Sequence, residues 1–194
     1  MSGARRLTAI LAADVAGYAR LVGADEEGTV ARLQSLRAAI VDPSIGENHG
    51  RIVNTAGDSV LAEFGSVVDA VRAGLAIQSR VAQHNAPEPP DQRIELRIGI
   101  HLGDVMVQAD GDLLGDSVNI AARLGALAGP GGICLSEDAV RQVEGKVEAR
   151  FTDAGNRVLK NIAQPVRVYT ALVGIDRRAR RAANRAERSG RRRR

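Results

Sequence analysis

Two aspartates stand where apolar, strand-like runs end. Asp14 follows the run over residues 7–13, and Asp58 lies in the tight turn of RIVNTAGDSVLAEF, residues 51–64, where Gly57 can supply the positive φ that a short hairpin needs. If the two strands are neighbours in one sheet, the carboxylates can converge at one edge and bind Mg²⁺, which prefers oxygen ligands. The alternative is an ordinary turn residue at Asp58, because aspartate is favoured in turns for local hydrogen bonding.

A second pair of polar residues shares one face of a predicted helix. Asn119 and Arg123 are four residues apart in the run VNIAARL, so both side chains project from the same side. A guanidinium suits the charge of a reacting phosphate and an amide can bond a ribose oxygen, which makes the pair suitable for phosphoryl chemistry. The other interpretation is a solvated helix face.

Lys160, ahead of the last predicted strand, is a lone cation that can pair with a phosphate or lie on the surface.

Other site chemistries are not indicated by the sequence. The histidines at positions 49, 84 and 101 lack metal-ligand spacing, and neither GxxxxGK[ST] nor GxGxxG occurs. Cys134 is the single cysteine, so it forms no intrachain disulfide, and its apolar surroundings GGICLS predict a buried thiol. A reducing, cytoplasmic location is therefore expected.

Length and composition fit one folded domain with a basic tail. The chain has 194 residues, 44% of them hydrophobic, which is enough for an ordinary core. Residues 177–194 contain ten arginines and one glutamate, a charge of +9, so residues 1–176 carry −5 within the overall +4. We expect this tail to be disordered, to make at most a weak contact with an anionic surface, and to have no specific nucleic-acid partner. The apolar run near the N-terminus is too short for a membrane span, so a soluble protein is predicted.

Hydrophobic periodicity arranges these residues on alternating strands and helices. Helices are predicted over residues 25–45, 68–85, 116–128 and 137–143. Strands are predicted, besides the hairpin, over residues 7–13, 93–101, 104–109, 133–135, 148–152 and 166–172. Gly103 is expected to form a turn, and Asp116 and Ser117 to cap a helix. The mixture favours an α+β sandwich, a mainly antiparallel sheet with helices packed on one face.

Four motifs occur in order along the chain. They are LAADVAGYARL around Asp14, VNTAGDSVLAEF around Asp58, RIGIHLGDV in a predicted strand and GDSVNIAARL on a predicted helix. Together they resemble the class III nucleotidyl cyclases, the adenylate and guanylate cyclase catalytic domain, and closely its stand-alone bacterial branch. The resemblance implies a ferredoxin-like α+β fold, with an N-terminal extension at residues 1–6, a catalytic domain at 7–173 and the Arg-rich tail at 174–194.

The resemblance also implies a site for metal ions and a triphosphate. Asp14 and Asp58 of one subunit would hold two Mg²⁺ or Mn²⁺ ions. The backbone around Ala16 and Gly17, at the start of the next helix, would cradle the triphosphate. Lys160 lies where the family has a triphosphate-binding lysine. The site implied is shared, because the family works as a head-to-tail homodimer with composite sites at its interface.

The remaining residues implied by the resemblance come from the other subunit. Asn119 would position the ribose, and Arg123 would stabilise the transition state at the α-phosphate. The reaction implied is in-line attack of the ribose 3′-hydroxyl of ATP on that phosphate, which releases pyrophosphate and 3′,5′-cyclic AMP.

Two further positions read the base in this family. They fall on Asn54, four residues before Asp58, and Asp112, seven residues before Asn119. Adenylate cyclases typically carry Lys at the first and Asp or Thr at the second, whereas guanylate cyclases carry Glu and Cys. Asp112 matches the adenine pattern and Asn54 matches neither.

The sequence leaves four functional hypotheses. They are an adenylate cyclase, a cyclase with relaxed selection between ATP and GTP, a catalytically weakened nucleotide-binding or regulatory module, and a surface binder that acts through its tail.

Overall fold

A single sheet of eight strands forms the centre of the computed structural model, which describes residues 4–172. The strands are β1 (Ala4–Val15), β2 (Gly50–Ala56), β3 (Ser59–Phe64), β4 (Leu96–Val107), β5 (Leu113–Leu114), β6 (Ile133–Ser136), β7 (Arg150–Arg157) and β8 (Val166–Leu172). Their order is β2-β3-β1-β4-β6-β8-β7, and β5 pairs with β4. Only the β4–β6 pair is parallel among these strands, so the predicted mainly antiparallel sheet is confirmed. The Arg-rich tail lies outside the described residues.

The helices cover the two faces of this sheet unequally. They are α1 (Tyr18–Ala24), α2 (Glu26–Leu36), α3 (Asp42–Glu47), α4 (Val67–Asn85), α5 (Asp116–Leu127) and α6 (Glu137–Val143), with a π-helical segment, Arg37–Val41, between α2 and α3. The largest hydrophobic cluster joins one sheet face to every helix except α5. Helix α5 packs on the other face, so the expectation that all helices share one face was wrong. None of the described helices has the length and apolar content needed to span a membrane.

Strand β1 occupies the middle of the sheet because both of its faces are apolar. Leu11 and Ala13 belong to the large cluster, whereas Ile10 and Ala12 pack towards α5. Successive side chains of a strand point to opposite faces, so a nearly continuous apolar run fits this position. The strand also extends three residues before the predicted start, to Ala4.

Three local predictions about turns and burial have different outcomes. The predicted hairpin is confirmed, and Gly57 at its turn has φ 57°. Gly103 was expected to form a turn, but β4 runs through it without a break. A Cβ atom on Gly103 would lie 2.3 Å from Ser117 Oγ, so this glycine allows a close approach of β4 to α5.

Cys134 is buried as predicted, and burial raises the pKa of its thiol.

The capping prediction for α5 was wrong. Gly115, with φ 129°, precedes the first helical residue, Asp116, and no side chain caps the helix. Ser117 is instead buried against β4. Ser117 therefore contributes to the packing of α5 on the sheet rather than to a cap.

Helix α5 lies directly on the backbone of β4. A Cβ atom on Gly99 would stand 2.0 Å from the Ala121 carbonyl oxygen and 2.3 Å from the Gly125 amide nitrogen. A Cβ atom on Gly125 would stand 3.3 Å from the Gly99 amide nitrogen. The two glycines therefore allow the helix and strand backbones to touch.

We predict that Gly99→Ala destabilises the protein by about 1–3 kcal/mol, the usual cost of overpacking a core. The added methyl group would meet backbone atoms, which cannot rotate away as a side chain can. Urea unfolding followed by circular dichroism measures the effect. Gly23→Ala is the control, because a Cβ atom there meets nothing within 4 Å. Equal stability of Gly99→Ala and the unaltered protein would contradict the contact.

Candidate active site

Asp14 and Asp58 lie at the same end of two neighbouring strands, and this end is called the edge of the sheet below. Strands β1 and β3 are antiparallel neighbours, so the end of β1 lies beside the start of β3, which Asp58 directly precedes. The Val15 amide donates a hydrogen bond to Asp58 Oδ2 at 3.0 Å. This bond holds the Asp58 carboxylate against the residue that follows Asp14. The convergence expected from the sequence is therefore present.

Arg97 pairs with Asp14 through two hydrogen bonds. Its Nε donates to Asp14 Oδ1 and its Nη2 to Asp14 Oδ2, each at 2.8 Å. These bonds raise the pKa of Arg97; burial opposes the shift, and the negative charges of Asp14 and Asp58 add to it. One guanidinium therefore lies in the field of both carboxylates.

The sequence interpretation did not identify Arg97 as a site residue. An arginine on the polar side of an alternating strand is ordinary, and only the β1–β4 register sets it opposite Asp14. The available signal was its position at the start of the motif RIGIHLGDV.

The donors at this edge fit a hard divalent cation. Mg²⁺ typically binds through one or two carboxylates together with water and substrate phosphates, and Asp14 and Asp58 supply two carboxylates. Over residues 4–172, no group of three or more His, Cys, Asp or Glu side chains could hold a metal ion. An ion at Asp14 would therefore need other oxygens to complete its shell, and it would have to displace Arg97 from the carboxylate.

A cavity of about 200 Å³ opens beside Asp14 on the sheet face to which α5 belongs. Asn54 lines it from β2, and Val118 and Ala122 line it from α5. The other lining residues are Ala12, Ala13, Ala56, Ser59, Val60, Leu61 and Gly125. The cavity is thus largely apolar with a few polar lining residues, Asp14, Asn54 and Ser59, as small-molecule sites usually are.

A β-bulge brings Asn54 to this face. Arg51 pairs with Glu63 and Asn54 with Leu61, and the register shifts between these pairs, around Val53. A bulge adds one residue to a strand and re-aims the side chains beyond it. Arg51 and Asn54 are three residues apart, so regular alternation would place them on opposite faces. Because of the bulge they share one.

Asn119 and Arg123 lie on the exposed side of α5. Both side chains are exposed, as the four-residue spacing predicts, while Ala121 and Leu124 face the sheet. Neither Asn119 nor Arg123 lines the cavity beside Asp14. Within one chain, the structure therefore does not bring this pair into the pocket of the first aspartate.

The remaining residues implied by the resemblance lie in loops. The Ala16 amide donates to the Glu95 carbonyl oxygen at 2.8 Å, so it already has a partner. Gly17 precedes α1 with φ 67°, in the left-handed region that favours glycine. Asp112 lies in the loop between β4 and β5, where its Oδ1 accepts the amide of the following residue at 2.9 Å. Lys160 is exposed between β7 and β8.

The chain is similar to several known proteins. The chain is 45% identical over 166 residues, 86% of its length, to a Rhizobium meliloti protein named as a proposed adenylate cyclase, of which it spans only 28%. It is 42% identical to an adenylate/guanylate cyclase/hydrolase from Silicibacter pomeroyi, with a TM-score of 0.82 over 88% of this chain and 98% of that one. An adenylyl cyclase from P. aeruginosa shares the fold at 22% identity, with a TM-score of 0.78 over 91% and 98% of the two chains.

The family model described as the adenylate and guanylate cyclase catalytic domain matches residues 5–172, which is nearly all of the residues that the structure describes. The order of the motifs and the α+β fold agree with that match. This chain belongs to the adenylate and guanylate cyclase catalytic domain family.

Proposed function

We propose that this chain converts ATP to 3′,5′-cyclic AMP and pyrophosphate, and that GTP is its competing substrate. The observation that carries the proposal is the convergence of Asp14 and Asp58 at one edge of the sheet, beside the cavity that Asn54 lines. The name of the Rhizobium meliloti relative, at 45% identity, favours ATP. Asp112 also fits the adenine pattern of the family.

The carboxylates of Asp14 and Asp58 would hold two divalent ions, Mg²⁺ or Mn²⁺. Ions bound there would neutralise charge on the triphosphate and lower the pKa of the ribose 3′-hydroxyl. Arg97 occupies both Asp14 oxygens in the structure, so its guanidinium must move when that carboxylate binds an ion. A guanidinium released at this place would remain next to the phosphates, where its positive charge is favourable. The backbone at Gly17, together with Lys160, would contact the triphosphate.

A homodimer would complete the site. Asn119 and Arg123 are exposed on α5 and stand outside the cavity beside Asp14. A second copy related by two-fold symmetry could supply both residues to that cavity. Asn119 would then orient the ribose, and Arg123 would stabilise the charge that develops on the α-phosphate.

A second candidate function is a nucleotide-binding or regulatory module with weakened catalysis. Asn54 favours it, because this side chain lacks the positive charge of the lysine that adenylate cyclases carry there. Such a module would bind nucleotide without turnover.

The first prediction concerns the reaction itself. Purified protein incubated with ATP and Mn²⁺ should form cyclic AMP and pyrophosphate, which chromatography resolves, and GTP is assayed in parallel. Asp58→Asn should abolish the activity because it removes a metal-binding charge. Asp91→Asn, at an exposed carboxylate before β4, is the matched control and should stay active. The absence of product from both nucleotides over a wide range of enzyme concentration would refute the proposal, and binding without turnover would support the second candidate.

The second prediction tests whether sites are shared between subunits. Asp58→Ala and Arg123→Ala should each be inactive alone, and an equimolar mixture should recover about a quarter of full activity. Random exchange makes half of the dimers mixed, and each mixed dimer keeps one intact site of two. Mixing Asn119→Ala with Arg123→Ala is the control and should restore nothing, since those residues serve the same half of each site. Lack of rescue in the first mixture, with subunit exchange verified, would argue against the shared site.

The third prediction concerns the choice of base. Asn54→Lys should raise the ratio of kcat/KM for ATP over GTP by about tenfold, the size expected for one hydrogen bond to a charged group. A lysine only donates, which suits the acceptor N1 of adenine, whereas the asparagine oxygen can also accept from the N1–H of guanine. Thr55→Lys is the control. Thr55 pairs with Val60 of the large cluster, so this variant adds the same charge on the other sheet face. An unchanged ratio in Asn54→Lys would show that this position does not contact the base.

A further inference from the structure

A buried carboxylate on β3 binds two arginines from neighbouring strands. Glu63 stands opposite Ile10 of β1 and Arg51 of β2, and its side chain is only 10% exposed. Arg6 Nη2 donates to its Oε2 at 2.5 Å, and Arg51 Nε donates to its Oε1 at 2.8 Å. A buried carboxylate needs a positive partner, but one arginine suffices for charge balance. The second arginine therefore calls for another explanation.

Arg51 makes a further contact that Arg6 does not share. Arg51 Nη2 donates to the carbonyl oxygen of Gly111 at 2.8 Å, across 60 residues of sequence. Gly111 has φ 86°, a left-handed conformation that suits glycine, and a Cβ atom there would lie 3.3 Å from Arg51 Nη1. The guanidinium thus lies between Glu63 and the loop that joins β4 to β5.

That loop has a short attachment to the sheet. Strand β5 pairs with β4 through only two residue pairs, Met106 with Leu114 and Val107 with Leu113. Within the loop, the Gln108 amide donates to the Asp112 carbonyl oxygen at 2.9 Å. These bonds shape the loop, and Leu113 at its end belongs to a small apolar cluster against which Val53 of β2 packs. The hydrogen bond from Arg51 adds a polar contact that joins Gly111 to β2.

The two elements that Arg51 joins carry the two proposed base-reading residues. Asn54 lies three residues beyond Arg51 on β2 and shares its face because of the bulge. Asp112 directly follows Gly111. We propose that Arg51, held by Glu63, is a positioning residue that sets the placement of Asp112 relative to Asn54 and thereby the selection between adenine and guanine. This inference rests on the proposed function, in which both residues contact the base.

The test compares two arginines of equal exposure on the same carboxylate. Arg51 and Arg6 are both 48% exposed and both bind Glu63, but only Arg51 also binds Gly111. Arg51→Gln should move the ATP to GTP ratio of kcat/KM towards one by about fivefold, of the order of the net contribution of a single intramolecular hydrogen bond. Arg6→Gln should change that ratio less than twofold, because it leaves the loop contact intact. Hydrogen exchange of the peptide covering residues 108–114 should become faster in Arg51→Gln alone.

The outcomes separate positioning from plain stabilisation. A fall in activity that is equal for both nucleotides, or the same effect from both variants, would overturn the proposal. A ratio near one in the unaltered protein would also overturn it, since there would be no selection for Arg51 to support. If the unaltered protein turns over neither nucleotide, the proposed function fails separately. The affinities for ATP and GTP, measured by calorimetry with Mn²⁺, and the exchange of residues 108–114 then decide the role of Arg51.

Discussion

The direct contact between α5 and β4 determines which part of this sheet face stays open for binding. Because Gly99 and Gly125 carry no side chains, the helix backbone touches the strand backbone. This contact fixes the distance of α5 from the sheet, and with it the position of Asn119 and Arg123 on the exposed side of the helix. A single helix of twelve residues cannot cover a face of eight strands. The part of the face formed by β2 and β3 therefore stays open, and the cavity beside Asp14 lies at the boundary. An open sheet face with polar residues at its edge is suited to binding.

Charge at the site is partly balanced within one chain. Two carboxylates at a sheet edge repel each other, and Arg97 offsets that repulsion through its two bonds to Asp14. This arrangement lets the folded chain hold two acidic groups close together without a bound cation. It also means that an incoming cation competes with a guanidinium rather than with water alone.

Periodicity and turn chemistry predicted much of this fold, because they depend on neighbouring residues. The hairpin around Gly57 and helices α4 and α6 follow from local patterns and are present with nearly the predicted bounds. Gly103 shows why other parts could not be predicted: a glycine that allows a turn and a glycine that allows a helix to approach look the same in sequence. Arg97 shows the same limit for the site, since its partner is 83 residues away and depends on strand register. The ordered motifs indicated the family but gave no information on the bulge at Val53.

The bulge in β2 divides the hairpin into two halves whose registers are set separately. The half near Gly57 carries Asn54 and is fixed by the turn, and the other half is fixed by the pair between Arg51 and Glu63. Substitution at position 54 leaves both halves in place. Deletion of the extra residue, Val53, would leave Ile52 opposite Ala62 and Asn54 opposite Leu61 in a regular ladder, so Arg51 and Asn54 would keep their common face. The bulge therefore lets β2 be one residue longer than its partner while Arg51 and Asn54 remain on one face, so the length of this strand and the placement of its polar side chains are independent of each other.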